Sequence, residues 1–333
     1  MIHKEAFSLS KYVNTVLGPI AATDLGKTLM HEHFFFGYPG FDGNPKYKKS
    51  FDELVTAGVE VANLAKRHGV QTIVDATPSD CGRNPEALAE ISRQSGINII
   101  CSTGYYYEGE GAPAYFKFKT GLGTAEEELY EMFTHEIENG IGDTGIKPGV
   151  IKLGTSKDVI TPYEEMFFKV AARVQQEQNI PIITHTQEGT MGPEQAALLV
   201  SLGANPQKIV IGHMDGNTDI RYQLETLKHG VYVGFDRLGI QGFVGAPMDK
   251  DRIVVLLGLI NSGYANQLTL SHDTVNIWLG APTVFPPALA ELIKDWHIEH
   301  LFQNIIPQLK EYGIDSGKLE QILVENPRNI FNS

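Results

Sequence analysis

Eight short apolar runs, each too brief for a helix and rich in β-branched residues, recur at roughly regular spacing along this 333-residue chain. They are TLMHEHF (28–34), VQTIVDAT (70–77), INIICSTG (97–104), GVIKLG (149–154), IPIITH (180–185), KIVIGH (208–213), VYVGFD (231–236) and QLTLSHD (267–273). Near-continuous apolar character, rather than alternation, predicts strands covered on both faces, as in a parallel sheet. Stretches of helical periodicity fill most of the intervals, at 51–69, 85–96, 124–140, 161–178 and 193–203. Gly69, Gly96, Gly140 and Gly203 stand where helices should stop. Eight βα units in series close most economically into a (β/α)8 barrel, because right-handed crossovers curl the sheet onto itself. An open doubly wound sheet is the alternative, but no GxGxxG and no phosphate-binding loop follows any strand.

The remaining segments fit one domain over 1–333. Residues 13–26 predict a short hairpin, so that 1–26 caps the barrel. Residues 274–297, with NIWLGAPTVFPP, are too long for a simple turn and are expected to form a loop over the substrate. A formal net charge of −13 argues against nucleic acid as a partner, since phosphates call for a basic stripe. A neutral or hydrophobic substrate, or one drawn by a metal, suits such a surface better. Two cysteines, Cys81 and Cys101, make no disulfide framework and read as inert thiols. The start, MIHKEAFSLSKYVNT, has no apolar signal core, and no later stretch is long enough to span a membrane. The expected location is the cytoplasm.

Polar residues end several of the apolar runs: His31 and His33, Lys152, His185, His213 and Asp273. Parallel barrels carry their chemistry at strand C-termini, and this is a metal-ligand inventory. His31 and His33, two apart on a strand, face the same way and can chelate one ion, with Glu32 pointing elsewhere. Asp273, on the strand that neighbours the first in a closed barrel, can join them. His185 and His213, from adjacent strands, can hold a second ion. Lys152 is anomalous, because an ammonium beside two dications would be repelled and burial disfavours its charge. As a neutral amine it can take up CO2, and the resulting carbamate would bridge both ions. Two ions sharing a water would lower its pKa enough to give hydroxide near neutral pH, with Asp273 as proton acceptor. The predicted reaction class is metal-assisted hydrolysis.

TLMHEH, VIKLG, ITH, IGH and LSHD, in this order and spacing, resemble the phosphotriesterase family of the amidohydrolase superfamily, from about residue 15 to the ENPRNIF terminus. The resemblance implies two divalent ions per chain (zinc first, with iron, cobalt or manganese as options) and N6-carboxylation of Lys152. It also implies a homodimer. Three details resemble the lactonase branch: Tyr106 in STGYYY, Asp236 and Arg237 in GFDRLG, and the long segment between Asp273 and Trp296. Tyr106 and Arg237 thus join Asp273 as catalytic candidates, with Asp236, Trp278 and Trp296 lining the pocket. KLGTS after Lys152 and EGEGAP at 108–113 depart from the lactonase pattern near the mouth. The expected activity is opening of hydrophobic lactones, such as N-acyl homoserine lactones, by a metal-bridging hydroxide, with promiscuous phosphotriester hydrolysis. That would make the protein a quorum-quenching enzyme. The rivals are a dedicated phosphotriesterase (aryldialkylphosphatase) or other esterase, and a non-catalytic binding protein of the same fold, whose mark would be a lost ligand. Asp236 and Arg237 could instead pair to shape their loop. His272 is expected to pack, and His68, His297 and His300 to be solvated.

Overall fold

The computed structural model describes residues 12–111 and 113–333. Residues 1–11 of the expected N-terminal cap lie outside the described residues. The rest of it is a hairpin, β1 (Tyr12–Thr15) antiparallel to β2 (Gly18–Ala21). The barrel strands follow as β3 (Lys27–Phe36), β4 (Val70–Asp75), β5 (Asn98–Gly104), β6 (Val150–Thr155), β7 (Ile182–Thr186), β8 (Ile209–Ile211), β9 (Tyr232–Phe235) and β10 (Leu268–Leu270). Each pairs in parallel with its successor from β3 to β10. This is the (β/α)8 order that the sequence predicts.

The eighth stave comes in two pieces. Beyond β10 the chain forms β11 (Val275–Trp278), which pairs in parallel with β3. The seam is sealed by Asp273 N donating to His31 O (3.1 Å) and His33 N donating to Thr274 O (2.9 Å). His31 N also donates to Ser271 Oγ at 3.0 Å. The segment expected as a loop from 274 therefore contributes its first residues to the barrel wall, and Pro287–Leu292 within it is helical. Across the same seam the buried Glu32 carboxylate accepts from His272 N (3.0 Å) and Thr274 N (2.9 Å). His272 Nδ1 lies 2.7 Å from it. An isolated buried carboxylate would be costly, and these donors offset that cost.

Helices α1 (Phe51–Arg67), α2 (Pro85–Ser95), α3 (Ala114–Leu122), α4 (Ala125–Asn139), α5 (Pro162–Gln178), α6 (Gly192–Ser201), α7 (Ile220–Leu227) and α8 (Asp249–Asn261) lie between the strands. Capping boxes start α1 (Ser50 with Glu53) and α5 (Thr161 with Glu164). Gly96 and Gly140 stop α2 and α4 at positive φ, as the sequence predicts. Inside the barrel, Met30, Val74, Ile100, Val150, Ile183, Val210 and Tyr232 form a dry plug, continued by Val13, Leu25, Ile330 and Phe331. Strand side chains alternate, so the next inward positions above Val150, Ile183 and Val210 are Lys152, His185 and Gly212. Above Tyr232, two such steps lead to Asp236. The plug is the floor of the site.

Candidate metal centre and active-site cavity

The structure brings His31, His33, Lys152, His185, His213 and Asp273 together at the C-terminal mouth, all of them buried. His213 and Asp273 lie just past the ends of β8 and β10, at φ 57° and 55°. Left-handed backbone at non-glycine residues is uncommon and clusters at functional sites. At Gly212 a Cβ would meet Thr184 O at 2.2 Å, so only glycine admits this approach of β7 and β8 beneath the histidines.

Each imidazole is held by its outer nitrogen. His31 Nδ1 lies 3.0 Å from Asp236 Oδ2, and His213 Nδ1 lies 2.8 Å from Asp236 Oδ1. Although burial opposes it, contact with His31 keeps the Asp236 carboxyl below its usual range. An ionised carboxylate only accepts, so both rings carry their proton on Nδ1 and present a lone pair at Nε2. Thr77 Oγ1 donates to Phe35 O (3.1 Å) and therefore accepts from His33 Nδ1 at 2.8 Å, with the same outcome. His185 is the exception. Its Nε2 faces Gln187 Oε1 at 2.7 Å, so its lone pair is at Nδ1.

The inner atoms converge. His33 Nε2 lies 3.0 Å and His31 Nε2 3.6 Å from Asp273 Oδ1, while His213 Nε2 lies 3.7 Å from Asp273 Oδ2. Donor atoms of His31, His213 and Asp273 all fall within 4.8 Å of one another and could hold an ion. The His185 and His213 ring centroids are 4.6 Å apart, and Lys152 Nζ lies 2.5 Å from His31 Nε2. Burial, then the Lys152 ammonium, lowers the pKa of His31. Burial, then Arg237, lowers those of His185 and His213 well below the usual imidazole range. Burial brings the Lys152 amine down to about 8, with Asp273 opposing. Asp273 is held well below the carboxylate range by His213 and Arg237, despite its burial.

This set fits divalent transition ions. It offers neutral imidazoles with fixed tautomers, an ionised carboxylate and a lysine of weakened charge, and His213 Nε2 is a buried polar atom with no hydrogen-bond partner among the described residues.

Above the centre opens a cavity of ≈ 600 Å3, lined by His33, Lys152, His185, His213, Arg237 and Asp273 at its base. Phe36, Tyr38, Phe41, Tyr106, Phe243, Trp278, Phe285 and Trp296 line it as well. The Tyr106 ring sits 4.9 Å from that of His185, edge on, while Tyr107 stacks flat on the same imidazole at 5.1 Å. Trp278 stacks on Tyr38 at 6.1 Å, and Trp296 Nε1 donates to His272 O and Asp273 O, both at 3.1 Å.

Several expectations need correction. Asp236 and Arg237 do not pair with each other: Asp236 serves the histidines, and Arg237 Nε donates to Asp273 Oδ2 at 2.9 Å. Adjacent residues of an extended segment point oppositely, which separates them. His300 is buried, with Nε2 2.8 Å from Asp249 Oδ2, and His68 is half-buried, stacked on Phe302 and 2.9 Å from Glu299 Oε1. Their carboxylate partners stand 51 and 231 residues away along the chain, which hid that packing. Cys81 and Cys101 are buried, and burial pushes both thiols up, the second to about 12. Thr77 and Tyr107 escaped the sequence reading because each acts through a histidine far away along the chain, and Gln187, two residues from His185, because no strand or loop signal marks it as a partner.

A parallel barrel with such a donor set at its C-terminal mouth has the architecture of a metal-dependent hydrolase. The model described as "Phosphotriesterase family" matches residues 11–331, and the chain belongs to that family of binuclear metal-dependent hydrolases. Among solved structures, the organophosphorus hydrolase from Deinococcus radiodurans is 51% identical, with a TM-score of 0.95 over 98% of this chain and 100% of that one. A mutant of a Deinococcus radiodurans phosphotriesterase-like lactonase is 50% identical, with a TM-score of 0.94 over 96% and 99%. A "Phosphotriesterase homology protein" of Mycobacterium tuberculosis is 34% identical over 324 residues, 96% of this chain and 97% of the relative. No helix among the described residues is long and apolar enough to cross a membrane.

Proposed function

We propose that this hydrolase opens hydrophobic lactones, N-acyl homoserine lactones among them, and hydrolyses phosphotriesters as a weaker side activity. The observation that carries the reading is an aromatic-walled cavity of ≈ 600 Å3 set directly on the histidine, lysine and aspartate cluster. An acyl chain gains about 25 cal/mol for each Å2 of apolar surface it buries there, which a small polar ester cannot match. That one similar structure is of a phosphotriesterase-like lactonase and another of an organophosphorus hydrolase accords with both activities.

His31, His33 and Asp273 would hold one divalent ion, His185 and His213 the other, and Lys152, as its carbamate, would bridge them. When bound, such ions supply Lewis acidity and an acidified water. Asp273 accepts the proton of the attacking water, and Arg237, paired to its Oδ2, orients that carboxylate. The Tyr106 hydroxyl positions the lactone's carbonyl or ring oxygen; its pKa is raised by burial, so it remains a donor. Asp236 keeps one histidine of each half in register. Phe36, Trp278 and Trp296 shield the reacting groups from bulk water. Elemental analysis of fully active protein should give two divalent ions per chain, and one or none would contradict the ligand assignment.

Tyr106→Phe tests the substrate preference. Lactone kcat/KM should fall by about 1–3 kcal/mol in transition-state terms, the value of a buried hydrogen bond. Paraoxon hydrolysis should fall less, or rise. Equal losses on both substrates would make Tyr106 a general support of the site. A wild-type kcat/KM on paraoxon above that on a long-chain lactone would favour a dedicated phosphotriesterase.

A further inference from the structure

A second group of metal-ligating side chains lies outside the cavity, in the segment Asp295-Trp296-His297-Ile298-Glu299-His300. His297 N donates to Asp295 O (2.9 Å) and His300 N donates to His297 O (3.0 Å), which winds these residues into one tight turn. Residues three apart on such a turn share a side. Donor atoms of Asp295, His297 and His300 accordingly lie within 4.8 Å of one another, and none of the three lines the catalytic cavity. Tetrahedral ligands on bonds of about 2.0–2.1 Å stand roughly 3.3 Å apart, so a modest contraction would close the set.

The surroundings make it more than a chance meeting of polar residues. His300 is buried and its ring is fixed from both sides, by Asp249 Oδ2 at 2.8 Å and the Asn304 amide at 2.9 Å. Pairing of an imidazole with a carboxylate is the arrangement that orients metal-binding histidines. The Asp295 carboxylate has only a long contact, with Gln241 Nε2 at 3.5 Å. The half-buried His297 ring has no hydrogen-bond partner among the described residues. It faces His300, with centroids 6.0 Å apart. Two imidazoles and one carboxylate select zinc, cobalt, nickel or copper over magnesium or calcium.

We infer that Asp295, His297 and His300 form a third divalent transition-metal site, separate from the catalytic centre. Trp296 sits between two of these ligands, with its indole in the cavity wall. An ion here would tie the segment after β11 around that tryptophan from behind. Taking the ion displaces one of the two existing partners of His300, so affinity should be modest, with Kd in the micromolar range.

The experiment is calorimetric titration of Zn2+ into the fully active, zinc-loaded enzyme after removal of loose metal, alongside His297→Ala and Asp295→Asn. Wild type should take up one further ion per chain and gain Tm with rising free Zn2+, as expected for a ligand that binds only the native state. Both variants should lose that uptake and that gain while keeping wild-type kcat/KM without added zinc. No further uptake by wild type, or uptake undiminished in His297→Ala, would overturn the site. The starting metal content of the loaded enzyme reports separately on the catalytic ions, so failure of one assignment does not mimic failure of the other.

Discussion

Lys152→Ala is expected to lose most of its bound metal and to fall in hydrolase activity by more than ~100-fold. Losses of 10–100-fold already follow removal of groups that merely orient ligands, and Lys152 would supply the bridge itself. Its amine is buried on the barrel's inner face, where burial weakens its charge, and it stands 2.5 Å from His31 Nε2. An ammonium there would repel dications. Addition of the amine to CO2, with loss of a proton, would turn the same side chain into an anionic oxygen donor. Reconstitution of metal-free wild type should therefore be faster with bicarbonate, and intact holoprotein should weigh more than its sequence by the elements of CO2. Full activity and full metal content in Lys152→Ala would end the bridging role.

The second large effect concerns Arg252, which is fully buried and does not itself line the cavity. Its guanidinium donates to Asp215 Oδ2 (3.0 Å), Pro247 O (2.7 Å from Nη2), Arg237 O and Ile240 O, and lies 3.4 Å from Asp249 Oδ1. The loop after β9 is thus folded around one cation, and Arg237 is carried on it. Arg252→Met should cost about 3–5 kcal/mol in urea unfolding, because the buried Asp215 carboxylate loses its salt-bridge partner. Arg252→Met combined with Asp215→Leu should be more stable than Arg252→Met alone, since the stranded charge goes too. If the double variant is instead less stable by the sum of the two single losses, the pair is not coupled in this way.

How much of this was legible depends on distance along the chain. The strands were visible because a buried parallel strand is apolar on both faces, and Lys152 and His185 announced themselves by interrupting such runs. The split last stave was not. VNIW at 275–278 looks like the start of a loop, and only pairing with β3 makes it a strand. For Asp236 the lactonase-like GFDRLG turn suggests the pocket wall, and its neighbour Arg237 offers an obvious alternative partner. Its real partners, His31 and His213, stand 205 and 23 residues away. His300 was misread for a related reason: burial by Asp249, 51 residues back, leaves no periodic trace around it.

The seam between the first and last staves also constrains events in time. His31 takes a hydrogen bond from Asp273, and Glu32 is satisfied by His272 and Thr274, partners 240 residues or more further on. During synthesis, β3 must wait beside an absent neighbour, with the Glu32 carboxylate and the outer-edge backbone groups of His31 and His33 unpaired, until nearly the whole barrel has emerged. Contacts of such sequence separation form late and slowly. No partial product can therefore assemble the complete ligand set before Asp273, near the end of the barrel, has been made.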